Sequence, residues 1–233
     1  MSPIRSQVWD WEFAWEILPE IAGGPFLVTL QATVMGTAIA MTLGLLLAIG
    51  RRSHRAIVHY PSSSFIEFIR RTPLLVQLFF LFFGLPAIGV TLPSLVAGVI
   101  GLGVHYSTYT SEVYRAGIEG VPRGQWEASR ALNLSHRRTW TRVIIPQAVP
   151  KVIPALGNYF IAMFKETPLL SAILVFEMMA QATTIANRSF RALEAYTIVG
   201  VLFLVVSYLA SLGVRRLERY LRNRTQTTAE GAT

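Results

Sequence analysis

Residues 124–150 read GQWEASRALNLSHRRTWTRVIIPQAVP. The stretch opens on a short helical pattern, passes through a basic run and closes on two prolines, Pro146 and Pro150. Long runs rich in Leu, Val and Phe lie on both sides of it. A charged, well-punctuated segment between such runs reads as a loop held outside a bilayer that its neighbours cross.

The rest of the chain supports that reading. Of 233 residues, 52% are apolar and 15% charged, whereas a soluble domain carries about 25% charged residues. Apolar stretches near the length of a membrane span recur. They predict an all-α polytopic membrane protein of five helices, over roughly 25–50, 65–86, 93–114, 150–176 and 195–214. The continuous apolar part of the second begins at Thr72. The organisation expected is an interfacial segment over 1–24, a transmembrane domain over 25–220 with a cytoplasmic loop at 115–150, and a disordered tail over 221–233.

Basic residues orient the chain. The gap 51–72 holds five arginines, the gap 115–151 seven basic residues, and the stretch Arg215 to Arg224 five more. The other side holds Arg5, Arg188 and Arg191, which makes 17 against 3, with Lys165 left inside a span. Positive charge stays in the cytoplasm, so the N-terminus is expected outside and the C-terminus inside. This confinement to gaps also argues against nucleic acid as the partner behind the net charge of +8. Acids (Asp10, Glu12, Glu16, Glu20) precede the first apolar run, and its arginines follow it, the reverse of a secretory signal. Trp11, Trp15 and Leu18 recur at helical spacing and suit an interfacial anchor.

Within the quoted segment, Pro122 and Gly124 close the preceding element. Gln125–Leu132 contains good helix formers, with Glu127 expected in the first turn, where the helix dipole favours an acid. Asn133 tolerates the left-handed conformation that ends helices. A second helix, roughly 135–145, is expected to stop before Pro146. Ala128, Ala131 and Ala148 are small enough to let another surface approach. These features fit a loop binding lipid head groups or a docking element for a cytoplasmic protein.

Polar groups inside spans are costly and mark pathways or packing networks. Lys165 and Glu166 fall in span four, and Pro168 should free the Phe164 carbonyl and kink the helix. Arg70 sits three residues from Glu67, as a helix-surface pair or an inner gate. Gln77, with Thr72 and Pro73, is placed to face a path, and Glu112 follows a hydroxyl-rich run from Tyr106 to Ser111. His54, His59, His105 and His136 lack metal spacing, and cysteine is absent. No catalytic constellation or phosphate-binding loop is present, so an enzyme is not expected and any ATP hydrolysis would belong to another polypeptide.

The quoted segment resembles the EAA loop of bacterial ABC-importer permeases. Glu127, Ala128, Ser129, Asn133, Ile144, Ile145 and Pro146 occupy its pattern, with Ser129, Asn133 and Ile145 departing conservatively. FIRRTPLLVQLFFLFFGLP (68–86), SEVYRAGIEGVPRGQWEASRALNLS (111–135) and LGNYFIAMFKETPLLSAI (156–173) resemble polar amino acid permeases, with Arg71 where that family has Gly. WDWEFAWEILP and HYSTYTSEVYRAGIEG are similar to ectoine/hydroxyectoine importer permeases. The likeness covers about 25–220.

It implies a type I importer permease fold in a bacterial inner membrane, and half of a pathway for ectoine or a polar amino acid such as glutamine, histidine or arginine. The implied partners are two ABC ATPase subunits carrying ATP and Mg, a second permease chain, identical or sister, and an extracytoplasmic binding protein. The ATPase would meet Gly124, Glu127, Ala128, Ser129, Asn133 and Pro146. A membrane scaffold or sensor with a basic docking loop is the competing class.

Overall fold

The computed structural model describes residues 9–230, with side chains as far as Leu221, and among these every element is helical. The expectations on Arg5 and on residues 231–233 lie outside them. Helix α1, Trp11–Ala22, starts at Asp10, whose carboxylate accepts from the Phe13 N–H at 3.2 Å. It buries Ala14, Ile17 and Ile21 and leaves Trp11 and Trp15 exposed. Helix α2, Gly24–Arg51, carries the first apolar run; its 28 residues reach about 42 Å at 1.5 Å per residue.

Small residues at every fourth position of α2, Gly36, Ala40 and Gly44, let it pack tightly on α5, Ser94–Glu119. The Thr110 hydroxyl of α5 donates to the Ala40 carbonyl at 2.7 Å. A Cβ on Gly44 would stand 2.8 Å from the Ser107 carbonyl oxygen, so only glycine permits this approach.

Between them the chain does not cross as one rod. Helix α3, Ala56–Arg71, stops at Thr72, which is extended at φ −107° and ψ 137°. Pro73 enforces this, because a residue before proline avoids the helical region. Helix α4, Leu74–Phe79, then continues through a π turn at Phe80–Gly84 and a 3-10 turn to Ile88. The two arms are bent by 104°, so 65–86 is not the continuous span expected.

Past α5 come α6, Arg123–Ala131, and α7, His136–Arg138. A π turn at Thr139–Ile144 leads directly into α8, Ile145–Glu166. Pro146 therefore does not end the second helix as expected. It sits in the first turn of α8, where its missing N–H costs little, and the Ile145 N–H bonds back to the Trp140 carbonyl.

A 3-10 turn over Thr167–Ile173 closes α8, followed by α9, Met178–Ser189, and α10, Ala192–Glu230. The backbone of α10 runs through most of the stretch expected to be a disordered tail.

Among the described residues, α2 and Ala192–Leu221 of α10 are each long and apolar enough to cross a membrane. His136–Ile173 with Met178–Ser189, bent by 54°, reaches span character only as a pair, like α3 with Leu74–Ile88. α5 has the length, but His105 and the hydroxyls that follow it make its second half polar. One core joins α2, α4, α5 and α8 through Ala40, Leu78, Leu102 and Met163, with Leu170 of the 3-10 turn. A second joins α1, α8, α9 and α10 through Ile17, Phe164, Ile185 and Val199. On the side where Arg188 and Arg191 lie, Arg188 pairs with Glu20 at 2.7 Å and Arg191 with Asp10 at 3.2 Å, tying α1 to the ends of α9 and α10.

Candidate functional site

Two places gather the residues that the sequence singles out. The first is the quoted segment. Asn133 takes φ 48°, and the Leu134 N–H bonds back to the Ser129 carbonyl at 3.0 Å, closing α6 as a left-handed cap. The Ser135 hydroxyl then accepts from the Arg138 N–H and starts the next helix. Gly124, Glu127, Ala128 and Ala131 recur at i, i+3, i+4 and i+7, and all four are exposed, so α6 presents one smooth face along its length.

Several expectations change here. α6 begins at Arg123, so Glu127 is its fifth residue and lies beyond the first turn. Ser129 is buried, its hydroxyl donating to the Gln125 carbonyl at 2.7 Å. Ala148 is buried with Val121 and Ile144 beneath Trp126 and Trp140, so it serves packing rather than approach. The sequence reading missed Leu132, which is 73% exposed beside Asn133. An apolar residue ending a polar helix was the available signal. Trp126 meets Trp140 edge-on at 5.4 Å, and the Arg52 guanidinium lies 5.7 Å over Trp140, so α6 is braced against the end of α2.

The second place is a cavity of about 510 Å³ lined by Arg70, Thr72, His105, Tyr109, Glu166 and Leu169, among others. It forms where both broken elements meet α5. Each break carries the same tetrapeptide, Thr-Pro-Leu-Leu, at 72–75 and 167–170, preceded by Arg71 and Glu166. Each Thr hydroxyl donates to the carbonyl three residues back, Thr72 to Ile69 at 3.1 Å and Thr167 to Phe164 at 2.8 Å. Thus the Phe164 carbonyl, expected to be free, is occupied. A scan for internal repeats would have found the pair of breaks.

Arg70 does not pair with Glu67; that acid bonds Arg71 at 3.0 Å, one helical turn away. Arg70 instead lies 4.9 Å over the Tyr109 ring and 3.9 Å from Glu112. Glu112 also binds Arg51 and accepts from Arg115 Nε at 2.8 Å, so one carboxylate ties the ends of α2, α3 and α5.

Gln77 does not face the cavity. Its amide donates to the Ile69 and Thr72 carbonyls at 2.8 and 3.1 Å, and its oxygen meets His105 Nδ1 at 3.2 Å. It bridges the break before Pro73. Glu166 lines the cavity beside the Tyr106 hydroxyl, and its Oε2 is buried with no hydrogen-bond partner among the described residues. Lys165, its neighbour, is exposed and does not line the cavity, since adjacent helical residues point about 100° apart. The wall thus carries basic side chains, Arg70 and Arg71, and an acidic one, Glu166, together with an imidazole and a phenol.

No group of three or more metal-ligating side chains occurs among the described residues.

Residues 40–223 match the family model described as "Binding-protein-dependent transport system inner membrane component". The chain is 43% identical to a probable amino-acid ABC transporter permease of Sinorhizobium fredii, over 91% of both chains. It is 36% identical to the L-cystine transport system permease of Bacillus subtilis, over 91% of this chain and 92% of that one. It is 34% identical to the glutamine transport system permease of Escherichia coli, over 91% and 98%. Among solved structures, an amino acid ABC transporter with histidines is 35% identical, with a TM-score of 0.87, covering 91% of this chain and 99% of that one. The inward-facing MetNI methionine transporter shares the fold at 19% identity and a TM-score of 0.71, over 91% and 99%.

Proposed function

The chain belongs to the family of binding-protein-dependent transport system inner membrane components, and we propose that it forms half of the path by which an ATP-driven importer takes in a polar amino acid. It is a permease, not an enzyme. The observation that carries the reading is the cavity at the paired Thr-Pro breaks, where Arg70 and Glu166 present opposite charges. A zwitterion has one group for each. The breaks supply two hinges, and hinges let such a cavity open to alternate sides.

In this proposal five helical segments cross the inner membrane with the N-terminus outside. The exposed face of α6 meets an ABC ATPase carrying ATP and Mg, two copies per complex. A second permease chain completes the path, and a binding protein delivers solute from outside. Amino-acid permeases among the relatives favour an amino acid over ectoine, and the ectoine reading rests on the two sequence stretches alone.

Reconstitution with the ATPase and binding protein tests this, measuring uptake of labelled glutamine, cystine, histidine, arginine and ectoine. Glu166→Gln should cut amino-acid uptake at least tenfold with normal assembly, and Lys165→Met should leave it near wild type. ATP hydrolysis without accumulation of any of these solutes would leave the scaffold class standing.

A further inference from the structure

Helix α3 has an outward surface that, apart from Arg71 at its end, does not line the cavity. Its inward face is settled: Ile66 and Ile69 are buried, the Ser62 side chain abuts Gly50, and His59 Nδ1 meets the Arg51 carbonyl at 2.7 Å. The outward surface divides into two stripes. Ile57, Pro61, Phe65 and Phe68 recur at i, i+4, i+8 and i+11, and all are exposed, Ile57 at 83% and Phe68 at 66%. Beside them run Tyr60, Ser64, Glu67 and Arg71, also exposed, with Glu67 and Arg71 paired.

A helix that crossed the bilayer would show lipid an apolar surface along its whole length, because an exposed ion pair at depth is expensive. A helix lying in the interface shows lipid on one side and water on the other. The orientation agrees, since α3 is bent 104° from Leu74–Ile88, which packs along α5 through Leu78 and Gly101. Its first half and its C-terminal end are tied at the level where α2 ends and Glu112 sits, by His59 with the Arg51 carbonyl, by Ser62 with Gly50 and by Arg70 with Glu112. Arginines flank it, with Arg52 and Arg55 exposed before it.

We propose that α3 lies in the plane of the cytoplasmic leaflet, with the Ile57–Phe68 stripe in the acyl boundary and Arg52 and Arg55 on anionic head groups. Charge complementarity selects the occupant: basic residues beside an apolar stripe attract anionic lipid. The membrane reading of the chain is all this requires, not the identity of the solute.

The absence of cysteine from this chain makes the test direct, because each introduced thiol is the only one the chain carries and can be labelled before assembly. Spin labels at Ile57→Cys, Phe65→Cys, Phe68→Cys, Tyr60→Cys, Ser64→Cys and Glu67→Cys are read in the assembled permease–ATPase complex, in nanodiscs containing phosphatidylglycerol. The expected result is oxygen accessibility at 57, 65 and 68 at one shallow depth, and accessibility to a water-soluble nickel relaxant at 60, 64 and 67. Depth increasing by about 16 Å from 57 to 68, the rise of eleven helical residues, would show a crossing helix and overturn the proposal. So would labels at 57, 65 and 68 closed to both relaxants, which places protein on the stripe. In discs of phosphatidylcholine alone the label at 57 should become shallower and more mobile. No change there would overturn the assignment to anionic lipid.

Discussion

Replacing Gly44 by alanine adds one methyl group at the closest approach of α2 and α5. Its Cβ would stand 2.0 Å from the Thr110 hydroxyl oxygen, 2.8 Å from the Ser107 carbonyl oxygen and 3.1 Å from the Ser111 nitrogen. The hydroxyl can rotate away, but that surrenders its bond to the Ala40 carbonyl. The Ser107 oxygen is backbone and cannot, so the helices must part by about half an ångström to restore a carbon–oxygen contact near 3.3 Å.

Overpacking of this kind costs about 1–3 kcal/mol, and the lost hydrogen bond about 1 kcal/mol more. Helix propensity returns about 1 kcal/mol. The net is a loss of about 1–3 kcal/mol, or several degrees of unfolding midpoint at roughly 2–4 °C per kcal/mol for a chain of this size. Gly200 on α10 supplies the control, since nothing lies within 4 Å of its would-be Cβ. Gly200→Ala should therefore gain or hold stability. Both variants are compared in one detergent by thermal unfolding followed through tryptophan fluorescence. Adding Thr110→Ala to Gly44→Ala should recover only part of the loss, because the backbone contact remains. A Gly44→Ala protein as stable as the wild type would refute the packing described.

Glu127→Lys or Ala128→Trp on the exposed face of α6 should leave the unfolding midpoint within about 1 °C, as surface changes do, yet reduce capture of the ATPase at least fivefold in a pull-down; unchanged capture by both removes α6 as the dock. Asn133→Gly should match or exceed wild-type stability, whereas Asn133→Ala should lose about 1 kcal/mol at φ 48°, and equal midpoints for the two would contradict the left-handed cap. Glu112→Gln leaves Arg51, Arg70 and Arg115 facing one another without their carboxylate and should lower the midpoint by a few degrees. A second change, Arg70→Gln, should restore part of that loss, and strict additivity of the two would show that Glu112 and Arg70 do not interact.

Helix-scale features were legible where one residue type has one physical meaning. The left-handed turn at Asn133 needs a residue tolerant of positive φ, and the helical face of α6 follows from spacing alone. The partners of charged side chains were not legible. Arg70 and Arg71 are both within one helical turn of Glu67, and only the turn of α3 toward α5 sends Arg70 to Glu112 and Tyr109. Lys165 and Glu166 look equivalent in a span, yet one residue of helical rotation puts Glu166 on the cavity and Lys165 outside it. Gln77 looked like a path residue because it is polar and deep. Its role depends on carbonyls exposed by a break that sequence could locate but not shape.

The prolines show why shape is withheld. Each removes an N–H and crowds the carbonyl four residues before it, so the local geometry depends on which donor is nearby. At Pro73 the Ile69 carbonyl receives the Gln77 amide and the Thr72 hydroxyl, and the chain turns sharply. At Pro168 the Phe164 carbonyl receives the Thr167 hydroxyl, and the helix tightens to 3-10. Pro86 and Pro146 come after apolar residues, Leu85 and Ile145, which carry no hydroxyl to donate. There the N–H before the proline reaches five residues back, Leu85 to Phe80 and Ile145 to Trp140, and the helix widens into a π turn. A Thr before proline thus accompanies both breaks, whereas Pro19, Pro61, Pro150 and Pro154, which follow Leu18, Tyr60, Val149 and Ile153, are carried inside α-helices. Both Thr-Pro breaks abut the cavity, so the same local chemistry that interrupts the helices also gathers Arg70 and Glu166 around one space.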